Sequence, residues 1–351
     1  MTASCTQIYM NFIFITLLLN LFSLSHTFSL KMSEMRVNTI KMSKITYPTG
    51  DPKFSVFQAF PAGINEIEAD PFLMCDQFGP SLSKGVATDP DAFDVRWHPH
   101  RGMDILTYLT EGVGRHADSL GNRGTYRTPG MQWISVGSGI EHAEGGGTPA
   151  GQYTTGFQIW VNVPSSEKMN DPRYGTEPPE NIPVFTAEGM HARLLAGEVN
   201  GSKGPFKTTQ KVQIVDFEVK PGASFVHSLE STLNNAIVYV YKGSGSVAGQ
   251  TVPVHSVIHL DATDPSKRSF TLTGGAEGLY VMLFAGQRLN QPIAWHGPFV
   301  MTTQAEINQC LDEYRRGTFL KKRAAWDYKR IATAPPGTFN DDGHNLPHKE
   351  L

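Results

Sequence analysis

RWHPHRGMDILTYLTEG (residues 96–112) sets two histidines one residue apart, just ahead of an apolar run. In an extended strand successive side chains alternate between faces, so His98 and His100 point one way and Pro99 the other. Proline has no N–H for a ladder, which places this stretch at a strand start or a sheet edge. Further on, GSGIEHAEGGG (residues 137–147) repeats the alternate spacing with His142 and Glu144. Two strands that each present two inward donors can close around one divalent ion inside a barrel. Three imidazoles and a carboxylate, with no thiolate, suit a first-row transition metal. Four protein ligands on an octahedral ion leave two positions open, for a chelating substrate and dioxygen or for substrate and water.

Neighbouring residues carry weaker expectations. Asp104 falls at an even spacing from His100, so it is expected to face the same interior as an outer neighbour of the site. Arg101 is expected to pair with an acid at the rim. Trp97, Tyr108, Trp133 and Trp160 can line a pocket, but at strand spacing such residues belong more often to a core.

The motifs sit among strand-like runs. ILTYLTEG, WISVGSG and GFQIWVNV are β-rich and bounded by glycine and proline. MNDPRYGTEPPENIPVF (residues 169–185), with four prolines, reads as an extended connector between two lobes. A second set follows in KVQIVDFEVKPG, AIVYVYKGSGSV, SVIHLDA, SFTLTGG and GLYVMLFAG. Its order parallels the first, as an internal duplication of a small antiparallel barrel would. The second set lacks the ligands. VHSLES has His227 without a partner two residues on. His255 and His259 are four apart on one strand face with no carboxylate beside them, and Glu230 with His227 does not make a site. Thr303 and Glu306 form a capping-box signature for a helix carrying Ile307, Leu311 and Tyr314, with Gly317 as its stop. The tail from Ala332 is expected to lack structure.

Composition narrows the class. At 351 residues, the chain exceeds one small core. Hydrophobic residues make up 40% and charged residues 18%, with 34 glycines and 23 prolines, a turn-rich all-β profile. A formal net charge of -3 gives no basic field, which argues against direct nucleic-acid binding. The three cysteines, Cys5, Cys75 and Cys310, have no CxxC spacing, so neither a disulfide framework nor a thiolate zinc site is expected.

The N-terminus reads as targeting information. NFIFITLLLNLFSLS (residues 11–25) has signal-peptide length and is short for a membrane span. No basic residue precedes Lys31; behind it Lys31, Arg36, Lys41 and Lys44 stand against the single acid Glu34. A cleavable apolar segment before a basic tract resembles a bipartite plastid presequence; the alternatives are a plain secretory signal and an uncleaved anchor. The terminal HKEL loosely resembles an ER-retention tetrapeptide, departing from it at Lys349.

HPHRG, YLTEG, PGMQWISVGSGIEHAE, QIWVNVPSSEKMNDPRY, the PG at 221–222 and HGPFVMTTQAEI, in that order, resemble the motifs of the pirins, a family of bicupin proteins. The resemblance leaves out both termini. It implies an all-β fold of two cupin (jelly-roll-type) β-barrel domains in tandem, with a short C-terminal helix. The expected layout is a presequence over 1–44, a metal-bearing cupin over 45–185, a metal-free cupin over 186–300, a helical segment over 301–331 and a flexible tail over 332–351. It also implies that His98, His100, His142 and Glu144 hold iron as Fe2+; the ligand types alone leave another divalent transition metal open. Some pirins show quercetin 2,3-dioxygenase activity, which would mean a flavonol-like aromatic substrate, O2, and Glu144 as the catalytic base. Others are iron-dependent, redox-sensing transcriptional coregulators, which would mean a protein partner. The chain is expected to act as a monomer, in the plastid or the ER lumen, or in the cytoplasm or nucleus if the presequence is not used.

Overall fold

The computed structural model describes residues 34–47, 55–89 and 91–324. Cys5, the apolar segment 11–25, the tail from Ala332 and the HKEL end lie outside the described residues.

The fold is two β lobes. The first has a seven-stranded sheet, in spatial order Arg173–Glu177, Met131–Ser135, Met103–Glu111, Tyr153–Asn162, Phe72–Leu82, Val56–Phe60 and Lys44–Thr46. Facing it is a four-stranded sheet of Val95–His100, Ile140–Glu144, Val113–Asp118 and Arg123–Arg127. The second lobe is built on a nine-stranded sheet that includes Val184–Ala187, Met190–Ala196, Val212–Val219, Asn235–Val247, Ser256–Leu260 and Ser269–Gly286.

The strand Met103–Glu111 explains how the lobes join. Met103 and Ile105 look into the first barrel, alongside Ile134, Ile140 and Trp160. Leu106 and Tyr108, of opposite parity, enter a core shared with Ile214, Ile237, Tyr239, Met282 and Phe284 of the second lobe. Both faces are buried, so MDILTYL shows no alternation of apolar and polar residues. The second barrel is filled by its own apolar cluster, including Val215, Phe217, Val238, Phe270 and Leu283.

Three boundaries differ from the sequence reading. Val37–Met42, inside the stretch assigned to the presequence, pairs antiparallel with Ser256–Leu260 at the edge of the second lobe. Two of the basic residues that suggested targeting are engaged in the fold: Arg36 with Asp261 at 3.2 Å and Lys41 with Glu68 at 3.1 Å. Within the supposed connector 169–185, Arg173–Glu177 pairs with Met131–Ser135 as an edge strand of the first lobe. Its flanking prolines, Pro172 and Pro178, hid a ladder that starts and stops between them. Finally, the segment after the second lobe returns to the first. Val300 N–H donates to the Arg101 carbonyl at 3.0 Å, and the helix Gln304–Arg315 follows, capped by Thr303 and Glu306 as the sequence implied. Gly317 (φ +73°) ends it. Each lobe is therefore completed by chain from the far end of the molecule.

Candidate metal centre

The strands Val95–His100 and Ile140–Glu144 run antiparallel, with His98 opposite His142 and His100 opposite Ile140. Strand alternation turns all three imidazoles to one side. One donor atom from each lies within 4.8 Å of the other two. The ring centroids are 4.7 Å apart for His98 and His100, 4.4 Å for His98 and His142, and 5.0 Å for His100 and His142.

Hydrogen bonding sets which nitrogens are free. Nδ1 of His98 is 2.7 Å from the Arg96 carbonyl and Nδ1 of His100 is 3.3 Å from the Pro298 carbonyl. A carbonyl only accepts, so both Nδ1 atoms carry the proton and both Nε2 atoms present a lone pair. Nε2 of His98 lies 3.0 Å from Nε2 of His142. Nε2 of His100 is buried without a hydrogen-bond partner. Burial, then the adjacent imidazoles, holds His100 and His142 well below the usual histidine range, and burial lowers His98 too. The three are neutral, the ligating form. Buried nitrogen atoms left unsatisfied are costly in a protein interior. A divalent ion satisfies them together, so these residues fit a transition metal.

Glu144 stands apart from this group. The ladder slips between His142 and Glu144, which pairs with Val95. Its carboxyl reaches across the barrel: Oε2 accepts from Gln132 Nε2 at 2.6 Å and lies 3.3 Å from Thr107 Oγ1, and Oε1 accepts from Gln158 Nε2 at 3.2 Å. Burial raises its pKa to about 7 against the pull of these hydrogen bonds. The structure thus brings three of the four expected ligands to ligand spacing and holds the fourth on a polar cradle nearby.

A pair missed in the sequence adjoins the site. His116 Nε2 is 3.1 Å from Asp118 Oδ2, both fully enclosed, and the His116 ring stacks on Tyr174 at 4.2 Å and lies 5.5 Å from His142. RHAD carries the same alternate spacing as HPH and was open to the same argument. Gln132 and Gln158 had no signal beyond their parity.

Other expectations are corrected. Arg101 does pair with an acid, Glu313 at 2.7 Å, but it is 1% exposed and not at the rim. Asp104 does not face the site. The turn at Arg101–Gly102 (Gly102 φ +87°) resets the alternation, and Asp104 is buried against Ser135 and Thr208 on the side towards the second lobe, where burial raises its pKa to about 6. Of the aromatic residues, Tyr108 and Trp133 are core, whereas Trp160 also walls the site, 5.2 Å from His100.

In the second lobe, His227 Nε2 is 2.7 Å from Gln213 Oε1, and the ring packs among Phe217, Phe225 and Phe270. Burial lowers its pKa to about 4. His255 is not on a strand face; it sits at a turn (φ +67°), stacked on Phe57 at 3.8 Å. His259 contacts Asn235 and Glu230 pairs with Lys211. Among the described residues, the three histidines of the first lobe are the group able to hold a metal.

Comparison with known proteins agrees with the two-lobe fold. The pirin family model matches residues 53–161, and the model of the pirin C-terminal cupin domain matches residues 214–320. The chain belongs to the pirin family. It is 36% identical to a pirin-like protein of Solanum lycopersicum, over 71% of this chain and 81% of that one. It is 34% identical to a Pseudomonas aeruginosa protein provisionally named a quercetin 2,3-dioxygenase, over 71% of this chain and 86% of that one. Among solved structures, quercetin 2,3-dioxygenase from Acinetobacter baumannii superposes with a TM-score of 0.72 at 27% identity, covering 82% of this chain and 99% of the other. The range matched by the pirin family model includes HPHRG and IEHAE, the segments that carry the histidine group and Glu144.

Proposed function

We propose that the first lobe holds an iron ion on His98, His100 and His142 and acts with O2 on flavonol-like compounds, as a dioxygenase of the quercetin 2,3 type. The observation that carries this reading is the convergence of three neutral imidazoles beside a buried carboxyl. The names of the Pseudomonas and Acinetobacter relatives support the substrate class. Bound there, iron would supply Lewis-acid polarisation of a substrate oxygen and electron exchange with O2.

The chain's own residues do the rest. Glu144 takes the proton of the substrate's acidic hydroxyl. Gln132, Gln158 and Thr107 fix both its oxygens, so the carboxylate needs no reorganisation as charge moves. Trp160 and Ile105 wall the interior with apolar surface that excludes water. The test is direct. Iron-loaded protein, purified without air and then exposed to it, should bleach quercetin and release CO; unchanged quercetin without CO rejects the reading.

A second reading, resting on the same histidine group, is an iron-dependent redox sensor that binds a protein partner. Partner capture that is identical with ferrous and ferric protein would reject it.

For the compartment, we propose that residues 1–33 direct the chain to the plastid or the ER, supported by the apolar segment 11–25. A fluorescent fusion of residues 1–33 that stays in the cytosol rejects this.

A further inference from the structure

Two segments far apart in sequence meet beside the histidine group. Arg101 directly follows His100 and is buried. Its Nε donates to the Ser138 carbonyl at 2.8 Å, Nη1 to Glu313 at 2.7 Å, and Nη2 to the Phe319 carbonyl at 2.7 Å. The guanidinium carbon lies 4.2 Å from the centre of the Phe319 ring. Ser138 opens the turn into Ile140–Glu144, so one side chain anchors both HPHRG and the approach to His142. The carbonyl that orients His100 belongs to Pro298. Lys168 Nζ bridges the same two segments, donating to the Gly102 carbonyl at 2.7 Å and the Val300 carbonyl at 3.2 Å. Pro298, Val300, Glu313 and Phe319 all follow the second lobe in the chain.

We infer that this C-terminal segment is a working part of the metal centre: Glu313, through Arg101 and the Pro298 carbonyl, is a positioning residue for His100, and helix docking and metal binding reinforce each other. The inference rests on the histidine group being a metal centre. The acceptor on a ligating imidazole's far nitrogen fixes its tautomer and ring angle, and loss of such partners typically weakens metal binding by about 10–100-fold. A buried guanidinium N–H that loses its acceptor is left unsatisfied, which the turn must move to relieve. By linkage, if docking of the helix favours the ion, the ion favours docking by the same factor.

The test uses the full chain as wild type, Glu313→Ala, Glu313→Gln and Leu272→Ala, the last a core change in the second lobe that lowers stability without touching this contact. Each is titrated with Co2+ against a chromogenic chelator, the visible spectrum of bound cobalt is recorded, and amide exchange is followed over residues 304–319. Glu313→Ala should bind cobalt about 10–100-fold more weakly with an altered spectrum. Glu313→Gln, which still accepts from Arg101, should recover most of the affinity, and Leu272→Ala should bind as wild type. Cobalt should slow exchange across Gln304–Arg315 in the wild type and not in Glu313→Ala. A folded Glu313→Ala chain with wild-type affinity and spectrum overturns the inference. Should that variant fail to fold, cobalt that leaves the wild-type helix exchange unchanged overturns it equally. Wild type that binds no cobalt overturns the metal centre itself, and the inference with it.

Discussion

Nε2 of His98 and Nε2 of His142 face each other at 3.0 Å across an antiparallel pair. The His98 nitrogen has no proton to give, because its Nδ1 proton is committed to the Arg96 carbonyl. Without a cation His142 Nε2–H donates to it, and His100 Nε2 stays buried without a partner until an ion takes it. Adding Fe2+, Co2+ or Ni2+ should therefore raise the unfolding temperature, by the equivalent of about 2.7 kcal/mol at one hundred times Kd. Calorimetry with and without a chelator reads this directly.

Glu144→Gln separates base from ligand. Its carboxyl is held by Gln132, Gln158 and Thr107 and lies outside the histidine group. The variant should keep metal content within about twofold of wild type while quercetin turnover falls about 100-fold. Loss of metal in parallel with activity would make Glu144 a ligand after all.

Asp104 gives the folded chain a pH-dependent penalty. Its folded pKa of about 6 exceeds the unfolded value of about 3.9, so between those values the folded state holds the extra proton. Its contribution is most favourable below about 4 and declines as pH rises to 6, by about 3 kcal/mol in all. Asp104→Asn should be more stable than wild type in urea at pH 8, and the difference should close towards pH 4.

His227 works in the opposite direction. Its folded pKa of about 4 lies below the unfolded value of about 6.5, so the unfolded chain binds the extra proton between them. The contribution is intact above 6.5 and lost as pH falls to 4, again by about 3 kcal/mol. His227→Gln should flatten the acid limb of the stability curve relative to wild type. An unchanged limb would mean that the imidazole charges without unfolding.

Strand parity made the histidine group legible. His98, His100 and His142 share a face wherever the two segments are extended, and nothing distant is needed to aim them. Parity failed where a turn intervened: Gly102 reset the count, and Asp104 faces the other way. Burial of both faces hid the distinction between Ile105 and Leu106, one in the barrel and one between lobes. The reciprocal closure of the lobes was not readable, because the pairing of Val37–Met42 with Ser256–Leu260 depends on an edge formed some two hundred residues away. Local charge there pointed to targeting instead. His116 and Asp118 share the alternate spacing of His98 and His100, so parity alone puts them on one face.

The most direct test of the central claim is metal stoichiometry by elemental analysis, with His142→Ala beside the wild type. The wild-type chain should carry one transition-metal ion, and the variant should lose it by at least about tenfold with its β-sheet circular dichroism retained. Equal metal content in the two proteins would contradict that claim.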